Sequence, residues 1–222
     1  MAHPLASPIA FRMPEYLAPS AWTEHLPFAG WLVAALAPRL LVELGTHAGT
    51  SYMGFCQAVR ELGLPTRCAA VDTWDGDAHA GFYSDDVYTT LKREHDQRYA
   101  AFSKLMRMRF DDALSHFQDG SIDLLHIDGL HTYDAVRHDF ESWLPKLSGR
   151  AVVLFHDTAE PGFGVGQFWK EVTATYPGFQ FVHGHGLGVL LVGSEAPPLL
   201  KALATDGAAA DEASRLSSAL RR

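Results

Sequence analysis

The apolar positions of the chain fall into two alternating patterns. Short apolar runs with the length of buried strands occupy residues 39–44, 68–73, 106–110, 122–127 and 151–155. Between them, apolar residues recur every three or four positions, which predicts helices over 20–37, 49–62, 85–105, 111–117, 133–147 and 165–176. Two last runs, 179–182 and 187–192, flank the turn HGHG and predict an antiparallel pair.

Strands that alternate with helices predict an α/β fold. We expect a seven-stranded, mainly parallel sheet with helices on both faces and a terminal antiparallel hairpin. A length of 222 residues suits one domain, which we place at 20–194. Residues 1–19 contain four prolines and are predicted to form an N-terminal arm. Residues 195–222, rich in Ala, Ser and Asp, are compatible with a solvated helix or a disordered tail.

Composition narrows the classes of protein to consider. The formal net charge is −8 and the Lys and Arg residues are scattered, which disfavours a nucleic-acid partner. No apolar run approaches the roughly 18 residues of a membrane span, and the first residues lack a leader pattern, so we expect a cytoplasmic protein. Cys56 and Cys68 are predicted to be free, buried thiols. The sequence is also compatible with a homo-oligomer.

Five of the predicted strands end in polar residues. Ligands of open parallel sheets bind beyond the carboxyl ends of the strands, so these residues are the candidates for chemistry. In the first segment, ELGTHAG at 43–49, we interpret Gly45 as a sharp turn and Gly49 as a close helix approach. We also expect that a side chain at either glycine would collide with the ligand. The spacing matches neither phosphate-binding fingerprint, which favours a cofactor without phosphates, and Asp72 is placed to bind ribose hydroxyls.

The same segment resembles motif I of the S-adenosylmethionine-dependent methyltransferases. More narrowly, VDTWDGD at 71–77, IDGLHTY at 127–133, LFHD at 154–157 and FVHGHGLG at 181–188 resemble the methyltransferase-24 type family. The resemblance implies a Rossmann-like methyltransferase fold, S-adenosylmethionine as cofactor, and a small-molecule or sugar hydroxyl as acceptor, sometimes with a divalent metal. The candidate cofactor contacts are Glu43, Gly45, Thr46, His47, Gly49, Thr50, Ser51, Asp72, Thr73, Trp74, Asp111 and Asp128.

A metal site is one interpretation of two neighbouring strand ends. Asp128 and Asp157 follow adjacent predicted strands, and their carboxylates could converge on Mg²⁺ or another divalent cation. His156 is the third candidate ligand, or it orients Asp157. The alternative is that both aspartates cap the following segments by accepting backbone hydrogen bonds.

His131 is the candidate general base. It lies three residues beyond Asp128, the second candidate catalytic residue, and an imidazole can accept the proton of an attacking hydroxyl. The alternative is a structural histidine at the start of the helix, bonded to Asp128 or to the backbone. His183 and His185 could contact the substrate, although the glycines beside them are explained by the turn alone, and His126 is interpreted as structural.

The loop after the second strand is long and aromatic. Its residues Trp74, Asp77, His79, Phe82 and Tyr83 could stack on adenine or cover the acceptor, while core packing is the alternative for Phe82. These observations predict an O-methyltransferase acting on a small hydroxylated molecule. Two rival classes are a nicotinamide-dependent oxidoreductase and an adenosine-binding protein without catalysis.

Overall fold

The computed structural model describes residues 7–77 and 81–206. The strands are β1 (Leu40–Leu44), β2 (Arg67–Asp72), β3 (Gly76–Asp77), β4 (Gly81–Phe82), β5 (Ser103–Arg107), β6 (Ile122–Ile127), β7 (Leu147–His156), β8 (Gly178–Phe181) and β9 (Leu187–Leu191). The α-helices are α1 (Leu26–Leu36), α2 (Thr50–Glu61), α3 (Asp85–Tyr99), α4 (Phe110–Ala113), α5 (Tyr133–Trp143), α6 (Val165–Val172) and α7 (Pro198–Thr205).

Seven strands form one sheet in the order β5-β2-β1-β6-β7-β9-β8. The first five pair in parallel, whereas β9 is antiparallel to both β7 and β8. This confirms the predicted α/β sheet with its terminal antiparallel pair. β3 and β4 form a separate two-stranded ribbon in the loop after β2.

Alternate residues of the central strands supply two apolar cores, one on each face of the sheet. Leu41, Leu124 and Val152 pack with α1, α2 and α3 in one core. The next residues along the same strands, Val42, Leu125 and Val153, pack with α5 and α6 in the other. Burial on both faces explains why these strands are continuous apolar runs.

The third sheet strand is shifted from its predicted place. The sequence predicted residues 106–110 as strand and a helix reaching 105, but β5 covers Ser103–Arg107 and α3 ends at Tyr99. β5 begins with a polar residue, Ser103, which is buried because its hydroxyl bonds to Tyr52 and His95. An apolar-run criterion misses a strand whose buried position is satisfied by hydrogen bonds.

Both ends of the described chain pack against the domain. The Tyr16 hydroxyl donates to the Ala48 carbonyl, and Thr50 Oγ1 accepts from the Ala18 amide, so the arm is tied to the start of α2. In the segment interpreted as a solvated helix or disordered tail, α7 buries Leu200 and Leu203 in the first core. Lys201 and Ala202 stand between these leucines, and the Ala, Ser and Asp content of the whole segment concealed the apolar face of this helix.

Two further predictions concern the cysteines and the membrane. Cys56 and Cys68 are free and buried, as expected. In the part of the chain that the structure describes, no helix combines the length and the apolarity that crossing a membrane requires.

Candidate active site

One cleft of about 670 Å³ opens at the carboxyl ends of β1, β2, β6 and β7 and beside the start of α4. It collects most of the residues that the sequence singled out. Those that line it are Gly45, Thr46, His47, Gly49, Thr50, Ser51, Asp72, Thr73, Asp111, Asp128, His131, His156, Asp157 and His185. Glu43, Trp74 and His183 are not among the lining residues.

The glycines of the first loop are required by contacts within the protein, a reason that the sequence did not show; the predicted collision with a ligand stays a prediction. Gly45 has φ +84°, and a Cβ there would lie 2.1 Å from the carbonyl oxygen of Asp128. Gly49 has φ +87°, and its Cβ would meet Leu91 Cδ1 at 2.4 Å. The loop therefore packs against the end of β6 and against α3 through contacts within the protein.

Asp72 organises the loop after β1. Its Oδ2 accepts hydrogen bonds from the amides of Thr46 (2.8 Å) and His47 (2.9 Å), and its Oδ1 accepts from the amide of Trp74 (2.7 Å). His47 itself has φ +48°, a strained conformation for a residue with a side chain. Asp72 thus joins the ends of β1 and β2 at the cleft, where the sequence placed the ribose.

Glu43 lies beneath the cleft and not in it. Its side chain is fully buried, and its Oε2 accepts from His126 Nδ1 at 2.8 Å. His126 Nε2 in turn accepts from the indole of Trp22 at 3.0 Å, which supports the structural interpretation of His126. The carboxylate of Glu43 cannot contact a cofactor directly because the core surrounds it.

The aromatic residues of the long loop divide between core and surface. Trp74 is 1% exposed and its indole donates to the His47 carbonyl, so its predicted place in the cofactor site is wrong. Tyr83 lines the cleft and stacks on His47 at 4.5 Å. Phe82 is 85% exposed, which excludes core packing. The Asp77 side chain and His79 lie outside the described residues.

His156 holds two carboxylates together at the ends of β6 and β7. Its Nε2 donates to the Gly184 carbonyl at 3.0 Å, and its Nδ1 lies 3.3 Å from Asp128 Oδ1 and 3.4 Å from Asp157 Oδ2. Burial opposes the charged ring, but the charges and hydrogen bonds of both aspartates raise the pKa of His156 to about 10. Since both ring nitrogens are engaged, His156 is not a metal ligand here, which corrects that prediction.

His131 joins Asp128 and Asp157 in the group for which the sequence predicted His156. Its Nε2 lies 2.9 Å from Asp157 Oδ2 and 3.7 Å from Asp128 Oδ1, and its ring stacks on Phe163 at 4.5 Å. Burial disfavours its charged form, but the two carboxylates raise the pKa of His131 to about 9. Asp128, His131 and Asp157 each offer a ligand atom, all within 4.8 Å of one another.

The turn between β8 and β9 contributes one of its two histidines. His185, with φ +64°, lines the cleft, and its Nδ1 is 3.4 Å from Asp157 Oδ1. His183 instead stacks on His25 at 4.8 Å, away from the cleft. Asp157 also has a positive φ of +59°. Two residues with side chains therefore hold left-handed conformations at this end of the cleft, a feature that clusters at functional sites.

The family model described as a methyltransferase domain, of the methyltransferase-24 type, matches residues 42–158. This segment runs from β1 through Asp157 and contains the strand ends that form the cleft. The chain belongs to this methyltransferase domain family.

Solved methyltransferase structures share the fold of this domain. One from Staphylococcus aureus, described provisionally as a caffeoyl-CoA O-methyltransferase, has a TM-score of 0.61 at 14% identity and covers 76% of this chain and 82% of its own. The O-methyltransferase TomG from Streptomyces achromogenes, which is involved in tomaymycin synthesis and was solved with S-adenosylmethionine, has a TM-score of 0.57 at 17% identity. The alignment covers 80% of this chain and 82% of TomG.

A closer relative by sequence is the uncharacterized protein y4gI of Sinorhizobium fredii. It is 52% identical over 199 residues, which is 88% of this chain but 22% of y4gI. This chain therefore spans about a fifth of the length of that relative.

The cleft is also lined by three residues that were not predicted from the sequence, Phe110, His138 and Asp139. Asp139 is 7% exposed and stands on the buried side of α5, three residues after Val136 and four before Trp143. An acidic residue within an apolar helical stripe was the signal that could have revealed it.

Proposed function

We propose that this methyltransferase domain transfers the methyl group of S-adenosylmethionine to a hydroxyl oxygen of a small acceptor such as a sugar. One observation carries the proposal. A single cleft joins the loop at 45–49 and Asp72 to a group of two carboxylates and an imidazole, formed by Asp128, His131 and Asp157. The first set suits an adenosine ligand, and the second suits proton removal.

The choice of methyl donor is supported by charge and by shape. The loop after β1 lacks the glycine spacing of pyrophosphate sites, which argues against the nicotinamide alternative. Asp128 and Asp157 carry negative charge into the cleft, since imidazole partners and hydrogen bonds keep the pKa of each below the ordinary value despite burial. The charged rings of His131 and His156 offset these two charges, so the carboxylate oxygens, and not a net negative charge, are what the site offers to a sulfonium group.

The reaction requires alignment and the removal of one proton. The acceptor oxygen attacks the methyl carbon, the new C–O bond forms as the C–S bond breaks, and sulfur leaves as a neutral thioether. The hydroxyl proton passes to a base, for which we propose Nε2 of neutral His131, and Asp157 Oδ2, 2.9 Å from that nitrogen, stabilises the charged ring that results. Holding both reactants in one cleft supplies much of the rate.

A divalent cation is an alternative occupant of the same group, and His131 would then bind the ion in place of accepting the proton. Asp128, His131 and Asp157 provide two carboxylate oxygens and one imidazole nitrogen, a donor set that suits Mn²⁺, Fe²⁺ or Zn²⁺ better than Mg²⁺, which prefers oxygen ligands alone. Such an ion would act as a Lewis acid toward the acceptor oxygen. The charged ring of His156 already draws the two carboxylates together, so the pair does not depend on the ion for its placement.

The acceptor is proposed from the side chains beside Asp157. Phe163 stacks on His131 there, His185 Nδ1 lies 3.4 Å from Asp157 Oδ1, and both residues line the cleft. Aromatic faces beside hydrogen-bonding groups suit a molecule that carries both carbon–hydrogen faces and hydroxyls, as a sugar does.

Calorimetry and a transfer assay test the proposal together. The domain should bind S-adenosylmethionine and its product S-adenosylhomocysteine but not NAD⁺, and it should transfer labelled methyl groups to a hydroxylated acceptor in a panel that includes sugars. Binding of NAD⁺ in place of S-adenosylmethionine would favour an oxidoreductase. Binding of S-adenosylmethionine without transfer to any acceptor would favour the non-catalytic alternative.

A further inference from the structure

Asp139 is a buried acid that the proposed reaction does not use. It belongs to α5, is 7% exposed, and its side chain borders the cleft. Its carboxyl group has no hydrogen-bond partner among residues 7–77 and 81–206, and only the charges of His138 and Asp111 act on it. Its oxygens reach the open space of the cleft, so their hydrogen-bonding capacity is available to a ligand that enters it.

The surroundings of Asp139 describe the shape of that ligand. A Cβ at Gly129 would lie 3.3 Å from Asp139 Oδ2 and 2.6 Å from the ring of Phe110. The carboxyl group and the aromatic ring therefore meet at the same glycine, and both line the cleft. A flat apolar ring beside a buried hydrogen-bonding group suits a planar heterocycle with a polar edge.

The neighbouring acid is already engaged. Asp111 was the sequence-based candidate at this strand end, but its Oδ1 accepts from His138 Nε2 at 2.8 Å and its side chain is 47% exposed. Asp139 is more deeply buried and has its hydrogen-bonding capacity free. Of the two acids, Asp139 is therefore the one placed to form a hydrogen bond with a ligand.

We propose that Asp139 recognises the edge of the adenine ring formed by N1 and the N6 amino group when the methyl donor occupies the cleft. This inference rests on the proposed function, because it requires an adenosine ligand. A neutral carboxyl group matches that edge, since its O–H donates to N1 while its carbonyl oxygen accepts from N6. An ionised carboxylate would instead face the lone pair of N1.

The charges around Asp139 favour the neutral form. Burial raises the pKa of Asp139, His138 on the same helix opposes that rise, Asp111 from α4 adds to it, and the result is a pKa of about 7. Phe110 and Gly129, which also adjoin the carboxyl group, carry no charge. The group therefore changes its charge near neutral pH, and adenine binding should follow.

Calorimetry with S-adenosylhomocysteine tests the proposal on the whole chain. Between pH 6 and pH 8 the wild-type affinity should fall about tenfold, because a pKa of about 7 leaves one carboxyl in about ten neutral at pH 8. Asp139→Asn, which presents a fixed donor and acceptor, should bind within about twofold of wild type at pH 6 and show no such fall. Asp139→Leu should bind about tenfold more weakly at pH 6.

A ligand variant separates direct contact from a structural effect. In the 1-deaza analogue of S-adenosylhomocysteine a C–H group replaces ring N1, so the penalty of Asp139→Leu should shrink to about threefold or less. Asp134→Asn makes the same acid-to-amide change at an exposed position of the same helix and should alter neither affinity nor its pH dependence.

Binding at pH 6 and its pH dependence distinguish a failure of the proposed function from a failure of the role of Asp139. Wild-type protein that does not bind S-adenosylhomocysteine at pH 6 would overturn the proposed function, and this inference with it. Tight binding that is independent of pH, or a penalty of Asp139→Leu that is equal for both ligands, would overturn the role of Asp139 alone.

Discussion

The two halves of the cleft are built from different groups. In the methyl-donor half, formed by residues 45–49 and Asp72, backbone groups set the positions: Asp72 accepts from three main-chain amides, and Gly45 lies against the main chain of Asp128. In the acceptor half, formed by Asp128, His131, His156 and Asp157, side-chain charges set the positions.

Because of this difference, we expect the two halves of the cleft to respond differently to pH and to substitution. Backbone amides do not change their charge with pH, but a binding loop built from them loses its shape when the main chain is displaced. Replacing one side chain in a cluster of carboxylates and imidazoles disturbs the fold less. The charge of such a cluster, however, changes with pH and with bound ions. Substitutions in the methyl-donor half should therefore affect stability and affinity, and those in the acceptor half should affect turnover.

The largest effect is expected from His131→Gln. Without a proton acceptor, turnover should fall by about 10² to 10⁴, while affinity for S-adenosylhomocysteine changes by less than about twofold. Because the pKa of His131 is raised to about 9, the wild-type rate should increase with pH up to that value, as the neutral ring becomes populated.

The control for this prediction is His116→Gln, an exposed histidine outside the cleft, which should leave both measurements unchanged. If His131→Gln retains nearly full turnover from pH 6 to 9, the base must be sought at Asp128 or His185, and the acceptor half would lose its proposed role in proton removal.

The next largest effect is expected from Gly45→Ala. A methyl group 2.1 Å from the Asp128 carbonyl, at φ +84°, should lower the free energy of unfolding by about 2 to 5 kcal/mol. Gly63→Ala is the matched control: φ is +63° there, but nothing lies within 4 Å, so about 1 kcal/mol is expected. Urea unfolding followed by circular dichroism would measure both. Equal losses would mean that the contact with Asp128 is unimportant.

A smaller effect is expected from removal of divalent cations. If an ion occupies the group of Asp128, His131 and Asp157, a chelator should slow transfer at least about tenfold, and Mn²⁺ should restore it better than Mg²⁺ does. Asp157→Ala should then respond to neither addition. Full activity in chelator would show that the acceptor half works with protein charges alone, and the methyltransferase proposal would stand.

The smallest effect is expected from Asp72→Asn. The amide can accept from one side only, so the loop loses part of its anchoring, and affinity for S-adenosylhomocysteine should fall roughly tenfold or less. Asp75→Asn, at an exposed acid in the loop after β2, is the control in the same calorimetric titration. A loss of turnover at saturating S-adenosylmethionine would contradict the division between the two halves.

Sequence reasoning reached the fold because the buried strands are apolar on both sides and each ends in polar residues. β1 and β6 were predicted to within one residue for this reason. β5 was not, since an edge strand with a hydrogen-bonded serine carries little apolar signal. Residue types at strand ends likewise indicated which segments meet, and the cleft contains all but two of the predicted cofactor and metal candidates, Glu43 and Trp74.

The sequence by itself determined the order of strands and helices, the family, and the set of polar groups that gather at one edge of the sheet. Only the tertiary structure decided which of those groups face the cleft. Glu43 and Trp74 turn into the core, His156 is occupied on both nitrogens, and His131 meets the two carboxylates in its place. Asp139 reaches the cleft from a helix. Periodicity specifies where a residue stands along its own element, whereas the partner of its side chain depends on contacts between elements far apart in the chain.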